Sequence, residues 1–427
     1  MPSFLLKLKP LWTDESLRNK ILFILFMMVL FRVLANIPIP GVDQFQLQNL
    51  LDSSTGGVIS FLNVFSGGGL STLSIVMLGV GPYITASIIM QLLGMMSPKI
   101  KEIQQEQGDA GRRKIAMYSR TLSVPLAAVQ GFGLLKLLES QGVVTDAVGS
   151  GLLVNLLIVI AGSVLLMWMG ELISEFGIGN GVSMVIFAGI VAALPGQLWL
   201  AYQNVLADPS LAPIFAGFAV LAVVVIYFIV YVTEAERLVP IQYAKASRAG
   251  GRAQAVQSYL PLRLNNAGVI PIIFALSVLI FPQMVAGFMQ SSANPATQEL
   301  ALNILAFLAN PWYYGSIYFV LVVFFTYFYT AATFDPKKVA DNLQRGGAFV
   351  PGVRPGSQTE EYIGQIVTKI TLVGALFLAL VAVLPVVLGG LTGIQTIAIG
   401  GTGILIVVSV VTDLVKKINA QLTMRTY

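Results

Sequence analysis

Apolar runs of about 20 residues recur along this chain and constrain its fold more than any other feature. A helix needs roughly 20 apolar residues to cross the hydrocarbon core of a bilayer. Ten such windows are present, near residues 20–37, 71–93, 117–138, 152–172, 182–202, 213–233, 266–288, 313–333, 368–388 and 397–415. Charged residues make up 11% of the chain, against about 25% in an ordinary soluble domain. The pattern predicts an all-α integral membrane protein with ten transmembrane helices.

The distribution of Lys and Arg predicts the orientation of these spans. Of the 25 basic residues, 23 lie in the tail before residue 21, the loops 94–120, 234–265 and 333–369, and the C-terminal tail. The alternate loops contain none: 38–70, 203–212, 289–312 and 389–396. Because short basic loops stay in the cytoplasm, we expect both termini there. No small-residue cleavage site follows the first span, so we expect it to be retained rather than removed as a signal peptide.

The residue types disfavour several classes of chemistry. The chain contains no Cys and no His, which removes thiolate and imidazole metal sites, Cys nucleophiles and disulfides. No G-x-x-x-x-G-K-[ST] run that would bind nucleotide phosphates is present. We therefore expect neither an enzyme nor a metal or cofactor site.

The ionisable residues inside the spans also bear on function. Proton- and ion-coupled carriers usually place such residues near the bilayer centre. Here they fall near the span ends, at Arg32, Lys136, Glu171, Lys369 and Asp413. A small-solute secondary transporter would need a polar or ionisable site at mid-depth, so this alternative function is disfavoured.

A short apolar segment between the first two spans is bracketed by glycines. It runs from Gly56 to Gly69 and is too short to cross a bilayer. Such a segment is expected to form a mobile half-helix, with a re-entrant or interfacial loop as the alternative. Its apolar residues are Val58, Ile59, Phe61, Leu62, Val64 and Phe65.

The sequence around this segment resembles that of a known protein family. Residues 65–68 (Phe-Ser-Gly-Gly), followed by 79–88 (Gly-Val-Gly-Pro-Tyr-Ile-Thr-Ala-Ser-Ile), closely resemble the plug and second helix of the SecY family. Further family-like motifs follow in family order at 111–114, 177–181, 260–263, 267–271, 340–343 and 347–356. Each motif alone is weak, but their order across the whole chain makes chance agreement improbable.

The resemblance implies a channel that passes unfolded polypeptides across the membrane and releases hydrophobic segments sideways into the bilayer. It implies two inverted five-helix halves, residues 1–205 and 206–427, around an hourglass pore. A plug at residues 56–68 is expected to close this pore.

The family's pore ring maps onto six branched aliphatic residues: Val80, Ile84, Val182, Ile186, Ile273 and Ile406. Two pairs are spaced four residues apart, so each pair projects from one helix face. The side exit is expected between the second and third spans on one side and the seventh and eighth on the other. Thr85, Gln130 and Asn265 are the candidate lateral-gate residues, which could form hydrogen bonds across the closed seam, each worth on the order of 1 kcal/mol. For Thr85 and Gln130 the alternative is an ordinary polar contact between neighbouring helices.

The basic cytoplasmic loops are expected to bind partners. Lys245, Arg248 and Arg252 lie in a polar run with two glycines, and Arg354 lies in a turn-rich stretch; Arg237 belongs to the same basic surface. The resemblance implies the SecA ATPase or a translating ribosome as partners here, SecE and SecG as small membrane subunits, and signal peptides and nascent chains as cargo. The net charge of +5 also favours anionic lipids as neighbours. A bacterial plasma (inner) membrane is expected, with a thylakoid membrane as the alternative.

Overall fold

The computed structural model describes residues 14–43, 45–47, 68–70, 72–97, 99–100, 102–103, 108–140, 142–144, 150–243, 257–265, 267–290, 294–392 and 395–426. The six apolar plug residues named above lie outside these ranges. The same holds for Lys245, Arg248 and Arg252.

Helices dominate the described chain. They are α1 (Glu15–Leu34), α2 (Gly81–Met96), α3 (Gly108–Ser140), α4 (Ser150–Phe176), α5 (Gly181–Ala207), α6 (Ala212–Glu234), α7 (Ile270–Gln290), α8 (Pro295–Ala309), α9 (Pro311–Thr333), α10 (Pro336–Arg345), α11 (Ser357–Thr392) and α12 (Gln395–Thr426). A short 3₁₀ helix, Pro209–Leu211, joins α5 to α6. Each of the ten apolar windows overlaps one of these helices, whereas α8 and α10 lie between windows.

Seven of the ten overlapping helices have the length and composition of membrane spans within the described residues. They are α3, α4, α5, α6, α7, α9 and α11. The helical part of α2 has 16 residues, fewer than the roughly 20 that a span needs. The helical fold is therefore as expected, and the count of ten spans stays a prediction.

Several helices begin where the sequence supplies a polar cap. The side chains of Asp14, Asn180 and Asp335 accept hydrogen bonds from the first free backbone N–H groups of α1, α5 and α10. Asn294 and Asn310 do the same for α8 and α9, each followed by Pro. Such caps satisfy N–H groups that have no partner inside the helix, and Pro fits the first helical turn because its missing N–H is not needed there.

The second apolar window extends beyond its helix. The window runs from 71 to 93, but α2 begins only at Gly81, and residues 75–80 form successive turns. Gly79 has a φ of +59°, which interrupts a right-handed helix, and Pro82 then sets the first turn of α2.

Three β-strands, a feature absent from the all-α expectation, stand between α6 and α11. They are β1 (Glu236–Tyr243), β2 (Gln257–Arg263) and β3 (Ala348–Phe349), in the order β2-β1-β3. β1 and β2 pair antiparallel from Glu236↔Arg263 to Gln242↔Gln257. One face of this sheet packs on α11 through a buried cluster: Val239, Ile241, Leu262, Val350, Ile363 and Val367.

The helices pack both within and between the two predicted halves. In the first half, α3 packs against α2 and α4, and α1 against α4 and α5. In the second, α11 packs against α9 and α12, and α7 against α8 and α9. Contacts between the halves include α5 with α12, and α7 with both α2 and α3. The division into two inverted halves stays a prediction.

Candidate functional site

The six predicted ring residues belong to one large apolar core cluster. Val80, Ile186, Ile273 and Ile406 are buried members of it, and Ile84 and Val182 pack against it. They come from four different helices or helix starts: the entry to α2, α5, α7 and α12. This cluster thus includes residues more than 300 positions apart along the chain, and it also contains Leu, Met, Phe and Tyr side chains. Their role as a pore ring stays a prediction.

Close helix contacts at glycines hold the helices that carry these residues. A Cβ added at Gly403 of α12 would lie 3.0 Å from Ile190 Cγ2 of α5, one turn beyond Ile186. A Cβ at Gly170 of α4 would lie 3.2 Å from Val182 Cγ2. Small residues at such positions let membrane helices approach closely. The cluster is therefore fixed by tight contacts on either side of α5.

Two of the three predicted lateral-gate residues donate hydrogen bonds to nearby backbone carbonyls. Thr85 Oγ1 donates to the Gly81 carbonyl at 3.0 Å, within its own helix. Asn265 Nδ2 donates to the Gly268 carbonyl at 3.3 Å, within the turn that precedes α7. Among the described residues, no hydrogen bond joins Thr85, Gln130 and Asn265 to one another. The expected bonds across the seam are absent from this conformation, and the gate assignment stays a prediction.

Among the three predicted gate residues, Asn265 has a buried side-chain oxygen, Oδ1, without a hydrogen-bond partner in the described chain. An unpaired buried carbonyl costs about 1–3 kcal/mol. The residue lies just before α7, the helix that contacts α2 and α3.

The described basic residues of the partner-binding prediction are exposed. Arg237 lies on β1, and Arg354 lies between β3 and α11. Glycines on both sides of Arg354 have positive φ angles, +83° at Gly352 and +102° at Gly356, so the chain turns sharply there. The Arg354 carbonyl accepts a hydrogen bond from Thr359 Oγ1 at 2.9 Å.

An ion pair between α3 and α4 was missed by the sequence reasoning. Arg120 Nε donates to Glu171 Oε1, and the two residues are 51 positions apart in the sequence. Arg120 lies inside α3, at a position where the predicted window 117–138 and the predicted loop 94–120 overlap. Opposite charges at the ends of adjacent apolar windows are the only signal that could have suggested the pair. Elsewhere in the described chain, no group of three or more Asp, Glu, His or Cys side chains lies together as metal ligands would.

Comparison with known proteins decides the family. The family model SecY matches residues 74–415. The "Protein translocase subunit SecY" of Streptomyces lividans is 39% identical over 98% of both chains. The chain belongs to the SecY family. It is therefore a multi-pass membrane protein, and the resemblance seen in the sequence motifs is confirmed.

Solved structures agree with this fold. A structure described as that of a protein conducting channel has a TM-score of 0.65 at 19% identity, with 94% of this chain and 92% of the other covered. Sec61 in the canine ribosome-channel complex from the endoplasmic reticulum has a TM-score of 0.61 at 18% identity and the same coverage. These likenesses establish the channel fold, and they give no support to the alternative of a small-solute transporter.

Proposed function

We infer that this chain is the channel-forming subunit of a Sec protein translocase. It passes unfolded polypeptides across the membrane and releases hydrophobic segments sideways into the bilayer. The observation that carries this inference is the match to a translocase subunit over 98% of the chain, together with the channel fold.

The ring provides a mechanism for sealing the channel. Ile186, Ile273 and Ile406 are buried together in an apolar cluster. A narrow apolar collar is a poor host for water and hydrated ions, so it closes by dewetting. Flexible aliphatic side chains also fit around a moving polypeptide without binding any particular sequence. The same six residues can therefore seal the resting channel and tolerate varied cargo.

Sideways release requires a seam that opens. The packing of α7 against α2 and α3 supports a seam at this place. The predicted gate residues Thr85, Gln130 and Asn265 have no hydrogen bond to one another within the described chain, and the bonds of Thr85 and Asn265 are local. A seam without such bonds across it is one that a hydrophobic signal peptide can open by supplying its own apolar contacts.

The exposed basic residues suggest which cytoplasmic partners this chain binds. Energy for transport must come from outside, and the exposed basic surface around Arg237 and Arg354 suits the SecA ATPase or a translating ribosome. The ribosome-bound relative supports the second partner. SecE and SecG are the proposed small membrane subunits. A bacterial inner membrane, rich in anionic lipid, with both termini in the cytoplasm, is the proposed location.

Reconstitution tests this function. The chain is purified with SecE and SecG, inserted into liposomes containing anionic lipid, and given SecA, ATP and an unfolded protein that carries a signal peptide. We expect the protein to become protected from external protease only when SecA and ATP are both present. Equal protection in liposomes that lack the chain would refute the proposal.

A further inference from the structure

Residues 72–80 form an irregular stretch of backbone packed among helices. Leu73, Val76 and Val80 are at most 1% exposed. In a membrane protein, non-helical backbone is tolerated only where surrounding protein buries it and satisfies its polar groups. Leu73 has a φ of +42°, in a region that residues other than glycine rarely adopt. Such a conformation persists only where neighbouring structure holds it in place.

Hydrogen bonds inside this stretch make it a series of tight turns. The N–H of Met77 donates to the Ser74 carbonyl at 2.9 Å, and that of Gly79 to the Val76 carbonyl at 2.8 Å. At its beginning, the N–H of Ile75 donates to the Ile37 carbonyl at 2.9 Å, which ties the stretch to the chain after α1. Further contacts to these turns come from a neighbouring helix.

Two consecutive residues of α4, Gly162 and Ser163, contact these turns. Gly162 lies so close that a Cβ added to it would be 1.9 Å from the Ile75 carbonyl oxygen. Ser163 is 4% exposed, and its Oγ donates to the Gly79 carbonyl at 3.2 Å. The two residues, called the α4 contact below, thus touch the turns at both ends of residues 75–79.

We propose that the α4 contact positions the pore ring. Gly79 directly precedes Val80, and the N–H of Ile84 donates to the Val80 carbonyl at 3.0 Å. The first turn of α2, with both of its ring residues, is therefore built directly on backbone that Gly162 and Ser163 fix. This inference rests on the proposed function, because it requires that the ring be the seal of the channel.

The expected displacement follows from the distances. Contacts between a Cβ and another heavy atom essentially never fall below 3.0 Å. A methyl group at residue 162, built 1.9 Å from the Ile75 oxygen, must therefore push the turns away by about 1 Å. Since protein interiors are close-packed and transmit such shifts, Val80 and Ile84 should move with the turns. Ser163→Ala is milder, because it only removes the partner of the Gly79 carbonyl.

The test measures ion conductance of the resting channel in planar bilayers, with the purified complex. Gly162→Ala is expected to leak at a level comparable with Ile84→Gly, and Ser163→Ala is expected to leak less but above the unsubstituted channel. Gly390→Ala is the control, since its Cβ would lie 3.0 Å from Pro311 Cβ, where α11 meets the start of α9, and would meet no ring or gate residue. It should disturb helix packing without causing a leak.

The outcomes distinguish the positioning role of the α4 contact from the assignment of the pore ring itself. If Ile84→Gly leaks while folded Gly162→Ala and Ser163→Ala stay tight, the ring stands and the positioning role is refuted. If Gly390→Ala leaks as much as Gly162→Ala, general loosening of the helix packing is the cause, and the inference also falls. If Ile84→Gly itself stays tight, the ring assignment fails and takes the inference with it. Should Gly162→Ala not fold, Ser163→Ala decides by the same comparison.

Discussion

The loop that carries Arg354 is held at both ends, and this makes its contribution to partner docking measurable. On one side, Val350 is buried in the cluster beneath the sheet, and Val353 packs against the same cluster. On the other side, Thr359 Oγ1 donates to the Arg354 carbonyl at 2.9 Å. Thr359 is only 2% exposed, so water cannot easily replace this bond. We expect Thr359→Val to release the loop while preserving the shape of the buried side chain.

The size of the effect can be worked out from this geometry. Thr359→Val removes one hydrogen bond and leaves the Arg354 carbonyl without its partner, a cost of about 1–3 kcal/mol. Every 1.4 kcal/mol corresponds to about a tenfold change in the equilibrium between the loop conformation held by this bond and released conformations. Because apparent affinity falls with the fraction of competent conformer, partner affinity should weaken by up to about tenfold for each such step.

The assay compares SecA-driven translocation and ribosome binding in four variants. Thr359→Val should weaken both. Thr368→Val is the matched control, because Thr368 Oγ1 also donates to a carbonyl of α11 at 2.9 Å, that of Gly364, but is exposed. It should leave both unchanged. Arg354→Lys should also impair transport, because Lys cannot reproduce a bidentate guanidinium contact. Normal transport by Thr359→Val and Arg354→Glu would show that this loop only directs topology.

Three further predictions concern the channel and its surface. Ile186→Gly should raise ion conductance of the resting channel in planar bilayers, whereas Ile186→Leu should not, because only the first opens the apolar collar; equal conductance in the two would argue against the ring. Deleting residues 56–68 should leave assembly of the complex intact but raise the same conductance, and an unchanged leak would remove the plug assignment. Neutralising Lys245, Arg248 and Arg252 together should weaken ribosome binding mainly at low salt and reduce its salt dependence; binding that is unaltered at every salt concentration would contradict a docking role.

The sequence placed most helices because bilayer thickness fixes the length of an apolar span. The prediction was wrong at the start of the second span, because hydropathy alone does not show that the helix begins only at Gly81, between Gly79 and Pro82. It also treated residues 289–312 as a loop, although α8 occupies Pro295–Ala309. The Asn-Pro pairs at 294–295 and 310–311 are start signals that could have revealed both α8 and α9.

The candidate site shows a different limit. Branched aliphatic residues occur on every span, so spacing alone could not single out Ile186 or Ile406, and only the family resemblance did so. That these residues share one cluster depends on how distant helices pack, which one sequence does not encode locally. The Arg120–Glu171 pair is a similar case, since it depends on α3 and α4 lying side by side. The three strands lie outside the apolar windows of span length, so hydropathy alone does not predict them.

The three strands found in the described residues connect the predicted partner-binding surface to the predicted seam over a short distance. β1 carries the exposed Arg237, and its neighbour β2 ends at Arg263, only seven residues before α7 begins. The ladder continues one bond further, from the N–H of Leu264 to the Ala235 carbonyl at 2.9 Å. A partner that displaces β1 therefore also displaces the backbone beside Asn265, whose buried carbonyl already lacks a partner in the described chain. Because an unsatisfied buried group gains when it is moved toward a donor or water, opening this end of the predicted seam would relieve that cost.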